Sequence, residues 1–451
     1  MQRYRVFLDP SMLRNVLATN PAEAGELLGW GLLPHLLLYA AVPLAVLWRI
    51  EVRRTSVLRA ILARLAVLAI SAGLLVASLL LVFQDFSALM RNHKELRYLI
   101  TPANFLYSTA RVVASGSREA RAERMAVGAD ARLDGTWNGS TRPVLMVLVV
   151  GETARAANWG LSGYARQTTP QLATSNVINF PDVSACGTDT ETSLPCMFSA
   201  IGRRDYDEDR IRTSESLLHV LRRAGFSVVW RDNQSGCKGV CDGLPQEPLN
   251  QSTVPQLCSD GRCHDEILLR GLDSIAQDSQ GNLVVVLHML GNHGPAYYAR
   301  YPDAFKLYRP TCDTGELRKC SVEQIVNSYD NALLYSDHVL SRTIAFLNER
   351  AYRFDTALLY ISDHGESLGE KGLYLHGVPY AIAPDEQIKV PMVWWLSQAF
   401  LARFSLNRSC LEGQAAKPWS HDNLFHSVLG LLRVETRDYD RKLDISGPCR
   451  R

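Results

Sequence analysis

Cys186 and Cys196 bracket nine residues, Gly187-Thr188-Asp189-Thr190-Glu191-Thr192-Ser193-Leu194-Pro195, and four of the nine carry a hydroxyl. Met197 and Phe198 follow as an apolar turn. The pattern describes a hydroxyl nucleophile on a cross-linked loop that opens into a helix. A helix amino terminus at that point would stabilise anionic phosphate oxygens. A bridge across the loop would hold it rigid, which favours positioning. Three distant residues, Glu152, Asp363 and His364, can complete a metal site around it. Two oxygens and one nitrogen suit Zn2+ with a fourth position open for a hydroxyl. A metal-bound hydroxyl is more acidic and a better nucleophile at neutral pH. Thr190 is a candidate for that position.

The elements that must position these residues are strands. Val144 to Val150 is a continuous apolar run, as expected of a buried strand in a parallel sheet. Similar runs are Phe226 to Trp230, Leu283 to Leu287, Thr356 to Ile361 and Val390 to Trp395. Helical stretches lie between them, for example Glu215 to Ala224 and Ser336 to Asn348. Alternation of this kind predicts an α/β domain, starting at Pro143, around a central, mostly parallel sheet. Ligands of such sheets gather beyond the carboxyl ends of strands. Gly151-Glu152-Thr153 and Ser362-Asp363-His364-Gly365-Glu366 each follow a strand directly, and Gly291-Asn292-His293-Gly294-Pro295 follows a third by a few residues. One acid or histidine after a strand is commonly a helix cap. Three such clusters at three strand ends point to convergence. There is no P-loop and no G-x-G-x-x-G.

All ten cysteines lie at or after Cys186. None forms a C-x2-C pair of the zinc type, so disulfides and an oxidising compartment are favoured. Sequence leaves the connectivity open. Sequential pairing is the simplest arrangement: Cys186–Cys196, Cys237–Cys241, Cys258–Cys263, Cys312–Cys320 and Cys410–Cys449.

The chain has 451 residues, enough for two or three domains. A net charge of +2 gives no basic balance that would argue for nucleic acid. Leu27 to Trp48 and Leu65 to Phe83, 22 and 19 residues, carry no formal charge, and each is long enough to cross a bilayer. Between them Arg49, Arg53, Arg54, Arg59 and Arg64 face one acid, Glu51, which places this connection in the cytoplasm. Both flanks then lie outside, on the side where the cysteines can oxidise. Residues 84 to 115 mix basic and apolar side chains and read as a segment along the membrane surface, a helical linker, or both. Residues 116 to 142 are polar and read as a flexible connector.

Several segments resemble the phosphoethanolamine transferases of Gram-negative inner membranes, the group that includes the lipid A enzymes and the mobile colistin-resistance proteins. They are VVGETARAANWGLSGYARQTTPQL, CGTDTETSLPCMFS, WRDNQSGCKGVCD, LHMLGNHGPAYYARYP, NSYDNALL and YISDHGESLGEKGLYLHGVPYAIAPDEQ. The membrane part is similar too, from MLRNVLATNPAEA through NHKELRYLITPANFLYS. The resemblance implies an alkaline-phosphatase/sulfatase-like catalytic domain over residues 143–451, preceded by an α-helical transmembrane region over 1–83 and surface helices with a linker over 84–142. By it, Thr190 is the nucleophile and Thr188 its bystander, and Glu152, Thr190, Asp363 and His364 hold zinc. His293 and His376 match histidines near the transferred phosphate. Ser235 and Lys238 match donors to the phosphoethanolamine group. Asn15, Thr19 and Glu23 match substrate-contact positions on a periplasmic helix at about 11–26. Their i, i+4, i+8 spacing puts all three near one helical face.

The implied reaction moves phosphoethanolamine from phosphatidylethanolamine to a lipid A phosphate through a phosphoethanolamine-threonine, releasing diacylglycerol. Polymyxin resistance, a monomeric state and a multi-pass inner-membrane protein with a periplasmic catalytic domain are implied with it. The family carries five transmembrane helices, so two here are expected to be the last two, after a truncated or misassigned start. A core sugar of lipopolysaccharide or another glycan is the alternative acceptor. An inactive membrane-anchored chain is the non-enzymatic alternative. A formylglycine sulfatase on the same fold needs an arginine that Ser193-Leu194-Pro195-Cys196-Met197 lacks.

Overall fold

A computed structural model describes residues 7–19, 24–25, 32–51, 56–83, 98–119, 124–140, 142–259 and 261–450. The chain divides into two compact units, Leu28–Tyr107 and the combination of Met1–Leu27 with Ser108–Arg451.

In the smaller unit, helix runs from Leu33 to Arg49 with a π-type turn at Leu37–Ala41. The second helix, Val57–Leu81, has 25 residues and buries none of its side chains. It is about 37 Å long at 1.5 Å per residue, enough for a hydrocarbon core of about 30 Å. Among the described residues it is the one helix long and apolar enough to cross a membrane. It starts eight residues before the uncharged run at Leu65, so Arg59 and Arg64 belong to the helix and not to the connection. A charge does not end a helix: Arg, Leu and Ala are strong helix formers, and long basic side chains reach back to an interface. Arg53, Arg54 and all of residues 84 to 97 lie outside the described residues.

The larger unit is built on an eight-stranded sheet. Its strands are β1 (Val144–Gly151), β2 (Ile178–Ser184), β3 (Ser227–Asp232), β4 (Gln246–Pro248), β5 (Leu283–His288), β6 (Asp355–Ser362), β7 (Lys389–Leu396) and β8 (Trp419–Ser420). The spatial order is β8-β2-β7-β6-β1-β5-β3-β4. β7 runs antiparallel to both of its neighbours, and every other pairing is parallel. The central strands β1, β5 and β6 are buried along their whole length, which is why they read as unbroken apolar runs. Both faces are packed. Val144, Met146, Leu148 and Val150 enter one core, and Leu145, Val147 and Val149 enter the other.

Helix α1 (Pro10–Ala18) belongs to this unit and starts at Asp9, whose carboxylate accepts the Met12 N–H at 2.8 Å. The helix α2 (Ala103–Glu119) enters the unit at Ser108, whose hydroxyl donates to the Leu8 carbonyl at 2.9 Å. Short helix α3 (Thr190–Met197) follows the hydroxyl-rich loop. The long helix α4 (Val322–Glu349) covers the sheet and begins 14 residues before the predicted Ser336, at a Ser321/Gln324 capping box. Its early turns hide polar residues, which masks the apolar period. Buried Asp330 there accepts from Asn158 and Tyr164 at 2.6 and 2.9 Å.

The stretch read as a flexible connector is instead packed where it is described. Arg132–Leu133 pairs antiparallel with Val434–Glu435. Trp137 donates from Nε1 to the Leu432 carbonyl at 2.9 Å and meets Phe226 edge-on at 5.5 Å. Its partners lie some 90 to 300 residues away in sequence, so local composition could not reveal them.

Candidate active site

Register brings the acids together. Gly151 pairs with Ser362 across β1 and β6, and Val150 pairs with His288 across β1 and β5. Glu152 and Asp363 therefore leave adjacent strands side by side, and the Asp363 N–H donates to the Gly151 carbonyl at 2.9 Å. Thr153 turns at once into left-handed backbone, φ +53°. Such a conformation is costly for a β-branched residue. It is held by a bond from the Thr153 N–H to Asp363 Oδ1 at 3.2 Å and from the Tyr329 hydroxyl to the Thr153 carbonyl at 2.6 Å.

Thr190 is the first residue of α3. Its Oγ1 lies 3.1 and 3.3 Å from the two Glu152 carboxylate oxygens and 3.4 Å from His364 Nε2. The His364 Nε2 is 3.4 Å from Glu152 Oε1 and 3.5 Å from Asp363 Oδ2. The other bracketed hydroxyls are engaged elsewhere or turned away. Thr188 donates to the Val378 carbonyl at 2.7 Å, Ser193 donates to the Asp363 carbonyl, and Thr192 packs against Gly187. Asp189 caps α3 by accepting the Thr192 N–H at 3.1 Å. Pro195 sits inside α3 and has no N–H for the Glu191 carbonyl. Arg212 Nη2 takes that carbonyl at 2.7 Å instead.

Glu152, Asp363 and His364 form a group whose ligand atoms lie within 4.8 Å of one another, all fully buried. The donor set fits a cation. Asp363 Oδ2 is buried and has no hydrogen-bond partner among the described residues. His364 Nδ1 is 2.9 Å from the Gly365 carbonyl, which directs Nε2 into the site. The charges shift one another. Burial works against the Glu152 carboxylate, but the hydrogen bond and charge of His364 win and hold it well below the usual range. Burial and the neighbouring Glu152 charge push Asp363 up to about 7. Burial also opposes a charged His364, but Asp363 and Glu152 outweigh it and raise the imidazole to about 10. A bound cation would displace the protons this cluster holds.

A cavity of about 150 Å³ opens beside Thr190 and is lined by Asn15, Thr19, Ser235, Lys238, His293 and His376 among others. The His376 ring lies 4.5 Å from His364 and 5.7 Å from His293. Lys238 donates to the Ser235 hydroxyl at 2.7 Å and pairs with Glu191 at 3.2 Å. Asn15 donates to Asp189 Oδ1 at 3.1 Å, so it touches the cap of α3 as well as the cavity. Thr19 turns back to the Asn15 carbonyl at 2.7 Å. Glu23 lies outside the described residues. All ten cysteines are bridged, as Cys186–Cys196, Cys237–Cys241, Cys258–Cys263, Cys312–Cys320 and Cys410–Cys449.

A family model described as sulfatase matches residues 145–434, and one described as phosphoethanolamine transferase EptA/EptB matches residues 1–116. Phosphoethanolamine transferase EptA of Escherichia coli K12 is 42% identical over 450 residues, 99% of this chain and 82% of that protein. The chain belongs to the phosphoethanolamine transferase family. Phosphatidylethanolamine transferase Mcr-1 of Escherichia coli is 36% identical over 87% of this chain and 74% of its own length. The solved integral membrane lipooligosaccharide phosphoethanolamine transferase A from Neisseria meningitidis is 38% identical, with a TM-score of 0.92 over 100% of this chain and 84% of that one. The family thus has the sulfatase/alkaline-phosphatase-like fold seen here, a mostly parallel sheet after an N-terminal helical region.

Sequence reasoning missed three residues of this candidate site. Glu366 pairs with His376 at 2.7 Å and accepts from the Tyr297 hydroxyl at 2.6 Å, and with His364 and His376 it makes a second group able to hold a cation. Its place in Asp363-His364-Gly365-Glu366 was the available signal. His421 lies 2.9 Å from the Ser362 carbonyl through Nε2, and its Nδ1 accepts the Cys186 N–H at 3.1 Å. Nothing near it in sequence marks it. Gln234 donates to Glu152 Oε2 at 3.1 Å.

Proposed function

We propose that this chain transfers phosphoethanolamine from phosphatidylethanolamine to a phosphate of lipid A through a covalent intermediate on Thr190. One observation carries the reading: a single hydroxyl, at the amino terminus of α3, faces Glu152 and His364 inside a buried group able to hold a cation. The names of the relatives support the group transferred, and the Kdo(2)-lipid A phosphoethanolamine 7''-transferase of Salmonella typhimurium, 32% identical over 64% of this chain and 51% of its own length, names an acceptor that contains lipid A, modified there at a sugar position.

Glu152, Asp363, His364 and Thr190 would hold Zn2+, which when bound supplies Lewis acidity and lowers the pKa of the Thr190 hydroxyl. Thr190 Oγ1 forms a bond to phosphorus as the bond to the diacylglycerol oxygen breaks. The proton lost by Thr190 is returned to that oxygen, with His293 or His376, the imidazoles that line the cavity, as its carrier. A lipid A phosphate oxygen then attacks the same phosphorus, and Thr190 Oγ1 leaves. Two displacements replace one difficult transfer. The α3 amino terminus faces the developing phosphoryl charge, while Ser235 and Lys238 hold the donor group. Asn15 contacts the donor from α1, and Thr19 does so from the extended residue that ends it, since the helix expected over about 11–26 stops at Ala18.

In this reading Val57–Leu81 and the apolar helix Leu33–Arg49 anchor the protein in the inner membrane, with the catalytic unit, a monomer, in the periplasm, where its five disulfides persist. The product lowers the anionic charge of the outer surface and so weakens polymyxin binding. Thr190→Ala in membranes given a fluorescent phosphatidylethanolamine is expected to abolish diacylglycerol release, and mass spectrometry of lipid A is expected to lose the added phosphoethanolamine. Normal transfer by Thr190→Ala would refute the assignment.

A further inference from the structure

The motif Trp230-Arg231-Asp232-Asn233-Gln234-Ser235 contains a buried amide with no part in the reaction just described. Gln234 Nε2 donates to Glu152 Oε2 at 3.1 Å. Its Oε1 accepts both the N–H and the hydroxyl of Ser235. The Ser235 hydroxyl in turn accepts from Lys238 Nζ at 2.7 Å, and Lys238 pairs with Glu191, next to Thr190. These bonds permit one amide orientation. A backbone N–H can only donate, so Oε1 must face Ser235. An ionised carboxylate can only accept, so Nε2 must face Glu152. Every donor in the series Lys238, Ser235, Gln234 then points toward Glu152. The Gln234 backbone is fixed as well: its N–H donates to Asp232 Oδ1 and its carbonyl accepts from Asn250, both at 2.6 Å. The side chain has little freedom to make these contacts by accident.

We propose that Gln234 is a positioning residue that ties the metal ligand Glu152 to the donor-binding pair Ser235 and Lys238. It fixes the Glu152 carboxylate for the cation and fixes the Ser235 hydroxyl for the phosphoethanolamine group, so one amide sets the distance between them. Cooperative polarisation along the series strengthens the bond that ends on the carboxylate. The inference rests on the roles given to Glu152, Ser235 and Lys238 under the proposed function.

The test uses full-length, metal-stripped protein in detergent and reads zinc affinity by competition with a chromogenic chelator. Gln234→Met keeps the length of the side chain and removes both contacts. Loss of an outer partner of this kind is expected to weaken zinc binding about ten- to a hundredfold. The KM for fluorescent phosphatidylethanolamine should rise, while the far-UV circular dichroism of the metal-free protein stays that of the wild type. Ser235→Ala removes the hydroxyl that links Lys238 Nζ to Gln234 Oε1 and keeps the backbone N–H that orients the amide, and zinc affinity should fall in the same direction by less. Unchanged zinc affinity in Gln234→Met overturns the proposal. Unchanged affinity in Ser235→Ala overturns the tie between the two sites, and this variant decides alone if Gln234→Met does not fold. Zinc binding is read without turnover, so its outcome is separate from that of Thr190→Ala.

Discussion

His421 offers a quantitative test, because a buried histidine joins the loop that leads into Thr190 to the strand that ends just before Asp363. Its ring is 2.9 Å from the Ser362 carbonyl, and it accepts from Cys186 N–H at 3.1 Å. Burial, helped by repulsion from His364 and opposed by the Ser362 carbonyl, lowers it to about 3. The folded protein therefore keeps His421 neutral where an unfolded chain, with an ordinary pKa of about 6.5, would take up a proton. Stability from this group is present above pH 6.5 and is lost as pH falls toward 3. Each unit below 6.5 removes about 1.4 kcal/mol, so the loss between pH 7.5 and pH 4.5 is about 2.6 kcal/mol. His426, lowered to about 4 mainly by burial, adds a similar slope, so the wild-type curve alone cannot isolate His421. The difference from His421→Gln can. A glutamine amide can accept from Cys186 and donate to Ser362 but does not titrate. Urea unfolding of the full-length protein in detergent should give similar stabilities at pH 7.5. At pH 4.5 the variant should be ahead by about 2.6 kcal/mol. His421→Leu should instead lose about 2 to 4 kcal/mol at pH 7.5, since it leaves two buried backbone groups unpaired. Parallel acid loss in wild type and His421→Gln would refute the reasoning.

Gly291 has φ +53°, and a Cβ there would lie 2.7 Å from the Glu152 carbonyl oxygen, so Gly291→Ala should displace Glu152, the ligand proposed above, and lose both zinc binding and transfer activity, read by chelator competition and by diacylglycerol release. Asn15→Asp sets a carboxylate against Asp189, 3.1 Å away in the native pair, and the repulsion should undock α1 from the cap of α3. A fall in kcat at saturating donor would mark this positioning effect, whereas a rise in KM alone would mean that Asn15 serves only as a donor contact.

The sequence by itself determined the central strands and the strand-end chemistry. Runs such as Val144 to Val150 are apolar throughout because both faces of those strands are covered, and this pattern is local. Glu152 and Asp363-His364 were legible for the same reason, since each follows its strand directly. Tertiary structure decided what depends on register and on distant partners. Only the pairing of Gly151 with Ser362 brings two acids against one imidazole, and only the surroundings of the loop leave Thr190, among four hydroxyls, facing them. Arg132 to Trp137 read as linker because its partners, Leu432, Val434 and Phe226, are far away in sequence. His421 carries no motif, and nothing in the segment around Gln234 singles out its amide. Their importance comes from which buried donor or acceptor each one satisfies, and that is fixed by packing alone.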